Sequence, residues 1–276
     1  MKAWALCKRE LGSFFSTPVG YVVLGTFSLI TGLGFTTSFL FYAMMSESPL
    51  TYGFNAIPDF EETFLSPFLV FCGMIMMFIG PLITMRLLSE EKNQGTIELL
   101  FTHPLRDRDI VFGKYGAALA MLSFMMLITG VYMIIVYRYV DRVEPAVLWF
   151  GLLTVFLMGA AFLSMGLFIS AVCSNQITAA TSTFGAFFVF YILGTLADDL
   201  SEENPAPANW PELMRVPVGA AYRLLRALVQ ELPLDAHARD MAQGIVQPHD
   251  IAYYILFSAF FLFLTFRAIE SRKWRA

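Results

Sequence analysis

Charge is scarce in this chain. Asp, Glu, Lys and Arg make up 14% of its 276 residues, where a soluble domain carries about 25%. With 57% hydrophobic residues and a mean hydropathy of +0.64, an ordinary water-soluble globule is excluded. Cysteine is nearly absent as well. Cys7, Cys72 and Cys173 are too few and too scattered for a disulfide framework or a zinc site, so all three are expected as reduced thiols. Of the three histidines, His103, His237 and His249, none lies inside an apolar run, which argues against a haem held between membrane helices. Each is expected as a solvated or hydrogen-bonded surface side chain.

Other absences narrow the function further. There is no Gly-x-x-x-x-Gly-Lys-Ser/Thr phosphate cradle, and Gly113-Lys114-Tyr115 lacks both the flanking glycine and a preceding strand. No ionisable residue sits in the middle of an apolar run, where proton- and ion-driven carriers need one. Ser123, Ser164 and Ser182 have no His, Lys or Asp within the runs to activate them as nucleophiles. The chain is therefore expected to be no enzyme, to hold no cofactor or metal, and to have no nucleic-acid partner. Its energy must come from elsewhere.

What the chain does have is six apolar runs, at 19–45, 64–88, 115–137, 146–173, 177–197 and 251–268. Each meets the length of about 20 residues that a bilayer core requires. The first is too long for a signal-peptide core and lacks a cleavage site, so it is expected to remain as an anchor. The expected class is an all-α membrane protein of one transmembrane unit, 1–276. Lys and Arg set its orientation. The first segment, the loop after the second run and the carboxyl tail carry 12 of the 18 basic residues, while the loop 46–63 carries only acids: Glu47, Asp59, Glu61 and Glu62. Both termini are thus expected in the cytoplasm.

Two segments outside the runs are amphipathic. Near the start, Trp4, Cys7, Leu11, Phe14 and Phe15 recur at helical spacing, with Lys8, Arg9 and Glu10 facing away and Pro18 closing the segment. That pattern predicts a helix lying in the membrane surface against lipid. Between the last two runs, 198–250 opens with a proline-broken turn. Two short helical stripes follow, one through Val218, Ala221, Tyr222, Leu225, Leu228, Val229 and Leu232, the other through Leu234, His237, Ala238, Met241 and Ile245. Neither can form a core alone. A short helical segment on the outer side, covering the runs as a lid, is expected.

The most informative stretch is 89–104, SEEKNQGTIELLFTHP, a polar block between two apolar runs. Thr96 after Gly95 can cap a new helix, Glu98 suits its first turn, and Ile97, Leu99, Leu100 and Phe101 give it an apolar surface before Pro104 ends it. Without catalytic groups, it reads as a surface offered to another protein. At Glu90, Glu91, Gly95, Thr96, Glu98, Leu99, Leu100, Pro104 and the Gly113-Lys114 pair, the block resembles the first cytoplasmic loop of the ABC-2 family of export permeases. Pro18-Val19-Gly20-Tyr21 and the stretch from Gly244 to Trp274, with its Gly-Ile, Asp and Tyr before the last run and its basic cluster after it, look like the subgroup associated with bacterial gliding motility. Gln247 and His249 depart from that pattern.

The resemblance implies a permease subunit of a bacterial plasma (inner) membrane exporter. A separate ATPase, in two copies, would dock on 89–114 and bind the ATP. A second copy or a related permease would complete the pathway, and an extracytoplasmic accessory protein could join it. Glu90, Glu91, Gly95, Thr96, Glu98, Leu99, Leu100 and Pro104 would form the docking loop, and Trp4, Lys8, Arg9, Leu11 and Phe14 the interfacial helix. Two other readings are compatible with the residues. One is a stand-alone secondary transporter; the other is a membrane anchor of a motility or secretion assembly.

Overall fold

The computed structural model of the chain describes residues 2–53, 58–95, 106–140, 143–200, 212–234, 237–238, 241 and 247–271. Among them there is no strand, and six helices are long and apolar enough to cross a membrane. Span 1 is Pro18–Glu47. Span 2 is Ser66–Thr84, entered through a π turn at Glu61–Leu65. Spans 3, 4, 5 and 6 are Asp107–Tyr139, Pro145–Val172, Gln176–Asp199 and Pro248–Glu270. An amino-terminal helix, Lys2–Ser16, precedes them.

Local chemistry explains where the helices start. Pro18, Pro145 and Pro248 each occupy the first turn of a span, where proline's missing N–H costs nothing. Asn175 caps span 5, its Oδ1 accepting the Ile177 N–H at 2.9 Å. Span 3 begins two turns before its apolar run because Asp107 and Asp109 suit a helix amino terminus. The Asp109 carboxylate also accepts the Arg106 N–H at 3.2 Å.

Span 2 departs from the expected 64–88. Its helix stops at Thr84, after the internal Pro81, and the chain turns before a five-residue helix, Ser89–Asn93. The turn is held from outside. The Leu88 and Ser89 N–H groups both donate to Ser170 Oγ of span 4, each at 3.1 Å.

Span 4 packs against spans 2, 3, 5 and 6 and forms the centre. Its apolar window and that of span 2 are 67% buried, against 28%, 22% and 17% for spans 1, 5 and 6. The latter three therefore present most of their surface to lipid or to another subunit. Small residues permit the close approach of spans 2 and 4: a Cβ on Gly166 would come within 2.5 Å of Thr84 Oγ1. Where spans 1, 2 and 3 meet away from the amino-terminal helix, Phe35, Phe64, Phe68 and Tyr132 pack as an aromatic cluster.

Between spans 5 and 6 the helix Glu212–Glu231 begins earlier than the stripe at Val218 suggests. Its apolar side chains Leu224 and Leu225 are exposed. Beyond Pro233, Leu234, Ala238 and Met241 are buried in the main core. His237 of the expected second stripe is buried too, and Ile245 lies outside the described residues.

Candidate functional site

The polar block begins as a short helix and is tied to three neighbours. Arg86 and Glu90, one turn apart, form a two-pronged pair, with Nε to Oε2 at 3.0 Å and Nη2 to Oε1 at 3.2 Å. Arg86 Nη1 also donates to Thr17 Oγ1 at 3.3 Å, reaching the junction between the amino-terminal helix and span 1. Lys92 turns to the end of span 4, where Nζ donates to the carbonyls of Ala171 and, at 2.9 Å, Cys173. A cation there meets the negative end of the helix dipole. Gly95 then takes φ +68°, left-handed backbone that glycine adopts without a Cβ clash, and its N–H donates to the Lys92 carbonyl at 3.2 Å.

Lys114 is the pivot of this arrangement. It lies in the second turn of span 3, 1% exposed, with Nζ 3.0 Å from Glu91 Oε1 and 3.3 Å from Glu10 Oε1. Arg9 adds contacts to Glu10 at 2.9 Å and Glu91 at 3.6 Å. Arg9, Arg86 and Lys114 thus balance Glu10, Glu90 and Glu91. A buried ammonium is tolerable only with such partners. The ion pairs lock the amino-terminal helix, the polar block and span 3 into one unit.

The amino-terminal helix packs along the start of span 3, burying Leu6, Cys7 and Phe14. Gly113 makes room for it, since a Cβ there would lie 2.9 Å from Leu6 Cβ and 3.0 Å from the Ala3 carbonyl. Burial and the neighbouring Glu10 carboxylate push the Cys7 thiol above its usual pKa. Trp4, Lys8 and Arg9 are exposed, Leu11 is half-buried and Phe14 is buried. One expectation is corrected here. Glu10 turns inward to Lys114 rather than facing away with Lys8 and Arg9. Trp4 is 73% exposed, and the face buried against the bundle runs through Leu6, Cys7 and Phe14.

Of the expected docking residues, Glu90, Glu91 and Gly95 are brought together at this end of the bundle. Thr96, Glu98, Leu99, Leu100 and Pro104 lie outside the described residues, as does His103. The sequence marked Lys114 only as part of the Gly113-Lys114 pair, with no sign of its burial or its partners, and Ser170, whose hydroxyl gives no local signal, was not singled out. Sequence reasoning also placed His237 at the surface, whereas the residue is 8% exposed and bonded to buried Asp250. All three cysteines are free, as expected. The cleft beside Glu10, Ser13, Arg86 and Glu90 has a volume of about 20 Å³, room for one water and no nucleotide.

Residues 14–269 match the family described as ABC-2 family transporter protein. The chain is also similar to a probable ABC transporter permease protein, NosY, of Pseudomonas aeruginosa. The two are 27% identical over 232 residues, covering 75% of this chain and 84% of the relative. The family match takes in all six spans and the whole polar block, and the chain belongs to the ABC-2 family as a membrane-spanning permease.

Proposed function

We propose that the chain is the permease subunit of an ABC exporter driven by ATP hydrolysis in a separate ATPase subunit, which docks on the loop 89–114. The observation that supports this reading most is the convergence of Glu91 and Glu10 on buried Lys114. A push on the polar block would be passed through these pairs to the amino-terminal helix and span 3, and through Lys92 and Ser170 to span 4. Two ATPase copies would sit beneath two permeases. Spans 1 and 5, mostly unburied, offer surface for the second permease or a related one. The termini and the charged cluster would face the cytoplasm of a bacterial inner membrane, with Glu212–Glu231 outside, where an accessory protein could bind. Trp4 and Lys8, both exposed, would anchor the amino-terminal helix at the headgroups.

The test pairs the full chain with its ABC ATPase in membranes. Asn93 is exposed at the end of the short helix Ser89–Asn93, so Asn93→Trp should leave the fold intact while obstructing a docking partner. Gly95→Pro should fix φ near −65° where +68° is needed. Both variants should insert and purify as monodisperse protein, yet retain little ATPase and lose coupled hydrolysis. Normal ATPase recovery with full coupled hydrolysis in both would place docking elsewhere.

A further inference from the structure

At the opposite side of the bundle from the charged cluster, the first turn of span 6 brings His249 and Asp250 against His237 from the preceding segment. His237 Nδ1 lies 2.8 Å from Asp250 Oδ1, and His249 Nε2 lies 3.0 Å from the same oxygen. Asp250 and His237 are buried, while the His249 side chain is 62% exposed. The three ligand atoms all fall within 4.8 Å of one another.

The second nitrogen of His237 decides how this group can be used. Nε2 faces the Glu231 carbonyl oxygen at 3.1 Å and a Glu231 carboxylate oxygen at 3.8 Å. Both are acceptors, so Nε2 must carry a proton and donate it. In the neutral ring, Nδ1 is then a lone pair directed at a carboxylate oxygen 2.8 Å away, and two acceptors at that distance repel. Either a second ring proton or a cation between them resolves the conflict. Metal-bound histidines commonly hold their other N–H on a carbonyl in this way, which fixes the tautomer and aims the free lone pair.

We infer that His237, His249 and Asp250 form an exchangeable binding site for a divalent transition-metal ion of the zinc class. Donors placed about 2.0–2.2 Å from a tetrahedral ion lie about 3.4 Å apart; the two separations to Asp250 Oδ1, 2.8 and 3.0 Å, need only a small expansion to admit it. Two imidazoles and one carboxylate suit this group of metals better than calcium or magnesium, which prefer all-oxygen shells. Three protein ligands leave a position open, and the exposed His249 lies on the accessible side, so the ion can enter and leave. The surroundings are rigid. Tyr253 stacks on the His237 ring with centroids 4.1 Å apart, and its hydroxyl donates to the Leu232 carbonyl at 2.5 Å. Tyr254 donates to the Leu234 carbonyl at 2.6 Å. The segment carrying His237 is thereby fastened to the helix carrying the other two ligands. A metal bound there would stitch the outer segment to span 6. None of this depends on the ATPase-docking reading.

The test uses the full chain, free of any affinity tag, in detergent or nanodiscs. Zn²⁺ is titrated against a chromophoric chelator, and Co²⁺ is added separately to read visible ligand-field absorption. One Zn²⁺ per chain is expected, together with a Co²⁺ spectrum of nitrogen–oxygen ligation. Asp250→Asn keeps the side chain's shape and should weaken zinc binding by more than about tenfold, the loss that follows even from altering a residue behind a ligand. Because Asp250 is buried, His249→Ala provides a variant at an exposed position that leaves the core untouched, and it should weaken binding likewise. No stoichiometric zinc on the unaltered chain would overturn the site and leave a hydrogen-bonded His237–Asp250 pair. Unchanged binding in His249→Ala would equally overturn it.

Discussion

Lys114 shows how much a single side chain can organise in an apolar protein. Its ammonium has two carboxylates within 3.3 Å and almost no water. Replacing one member of a buried ion group leaves the others uncompensated, at a cost of about 3–5 kcal/mol, whereas removing the whole group is often neutral. Lys114→Met is therefore predicted to lower stability by about that much, measured by denaturant unfolding in detergent micelles. Adding Glu10→Gln and Glu91→Gln to the same chain should recover most of the loss. If Lys114→Met alone unfolds like the parent, the ion group does not hold these elements together. The surface pair of Arg267 and Glu270, both well exposed at 2.8 Å, serves as a contrast, since such pairs contribute about 0–1 kcal/mol.

Among the elements, the amino-terminal helix is where pattern and packing diverge most. Its sequence reads as a membrane-surface helix, and its exposed Trp4 keeps that role open. Yet one of its faces is committed to span 3, through Leu6, Cys7, Glu10 and Phe14. Gly113 is the position most sensitive to that contact. Gly113→Val is predicted to push the helix away, because the new side chain would overlap Leu6 and the Ala3 carbonyl. Overpacking of this kind costs about 1–3 kcal/mol. Cys7 reports the change directly. In the parent chain its burial and raised thiol pKa keep the reactive thiolate rare, so alkylation near neutral pH should be slow and should quicken as pH rises. In Gly113→Val the thiol should become accessible and alkylation markedly faster. Equal rates in the two proteins would mean that the helix does not depend on this contact.

Over the whole molecule, orientation has the widest consequences for function. The uneven distribution of Lys and Arg predicts both termini in the cytoplasm. In a chain whose own cysteines are replaced, cysteine at Ser48 or Glu203 should label in intact cells with a membrane-impermeant thiol reagent. Cysteine at Asn93 should label only after the cells are opened. Ser48 and Asn93 are both exposed, so failure to label reflects sidedness rather than burial. Labelling of Asn93 in intact cells would invert the topology and remove the docking surface from the reach of a cytoplasmic ATPase.

The class of protein, the number of spans and the general position of the polar block were all legible in the linear chain. Each rests on a property that accumulates locally: apolar length against bilayer thickness, proline at helix starts, and basic residues beside particular runs. Even the turn at Gly95 was readable, since a glycine after a short charged helix marks a helix end. The end of span 2 was not. Met85, Leu87 and Leu88 prolong the apolar run on either side of Arg86, and the turn there is held by Ser170, more than 80 positions away, which receives the Leu88 and Ser89 N–H groups. Likewise, nothing around Lys114 distinguishes it from a solvated loop cation until Glu10 and Glu91 arrive from two other elements. His237 and Asp250 are 13 residues apart, with no metal-motif spacing between them, and meet only because the segment before span 6 folds back onto it. Hydropathy adds up along a chain and so can be read from it. Burial and pairing of polar groups depend on which distant segments come together, and only the tertiary structure decides that.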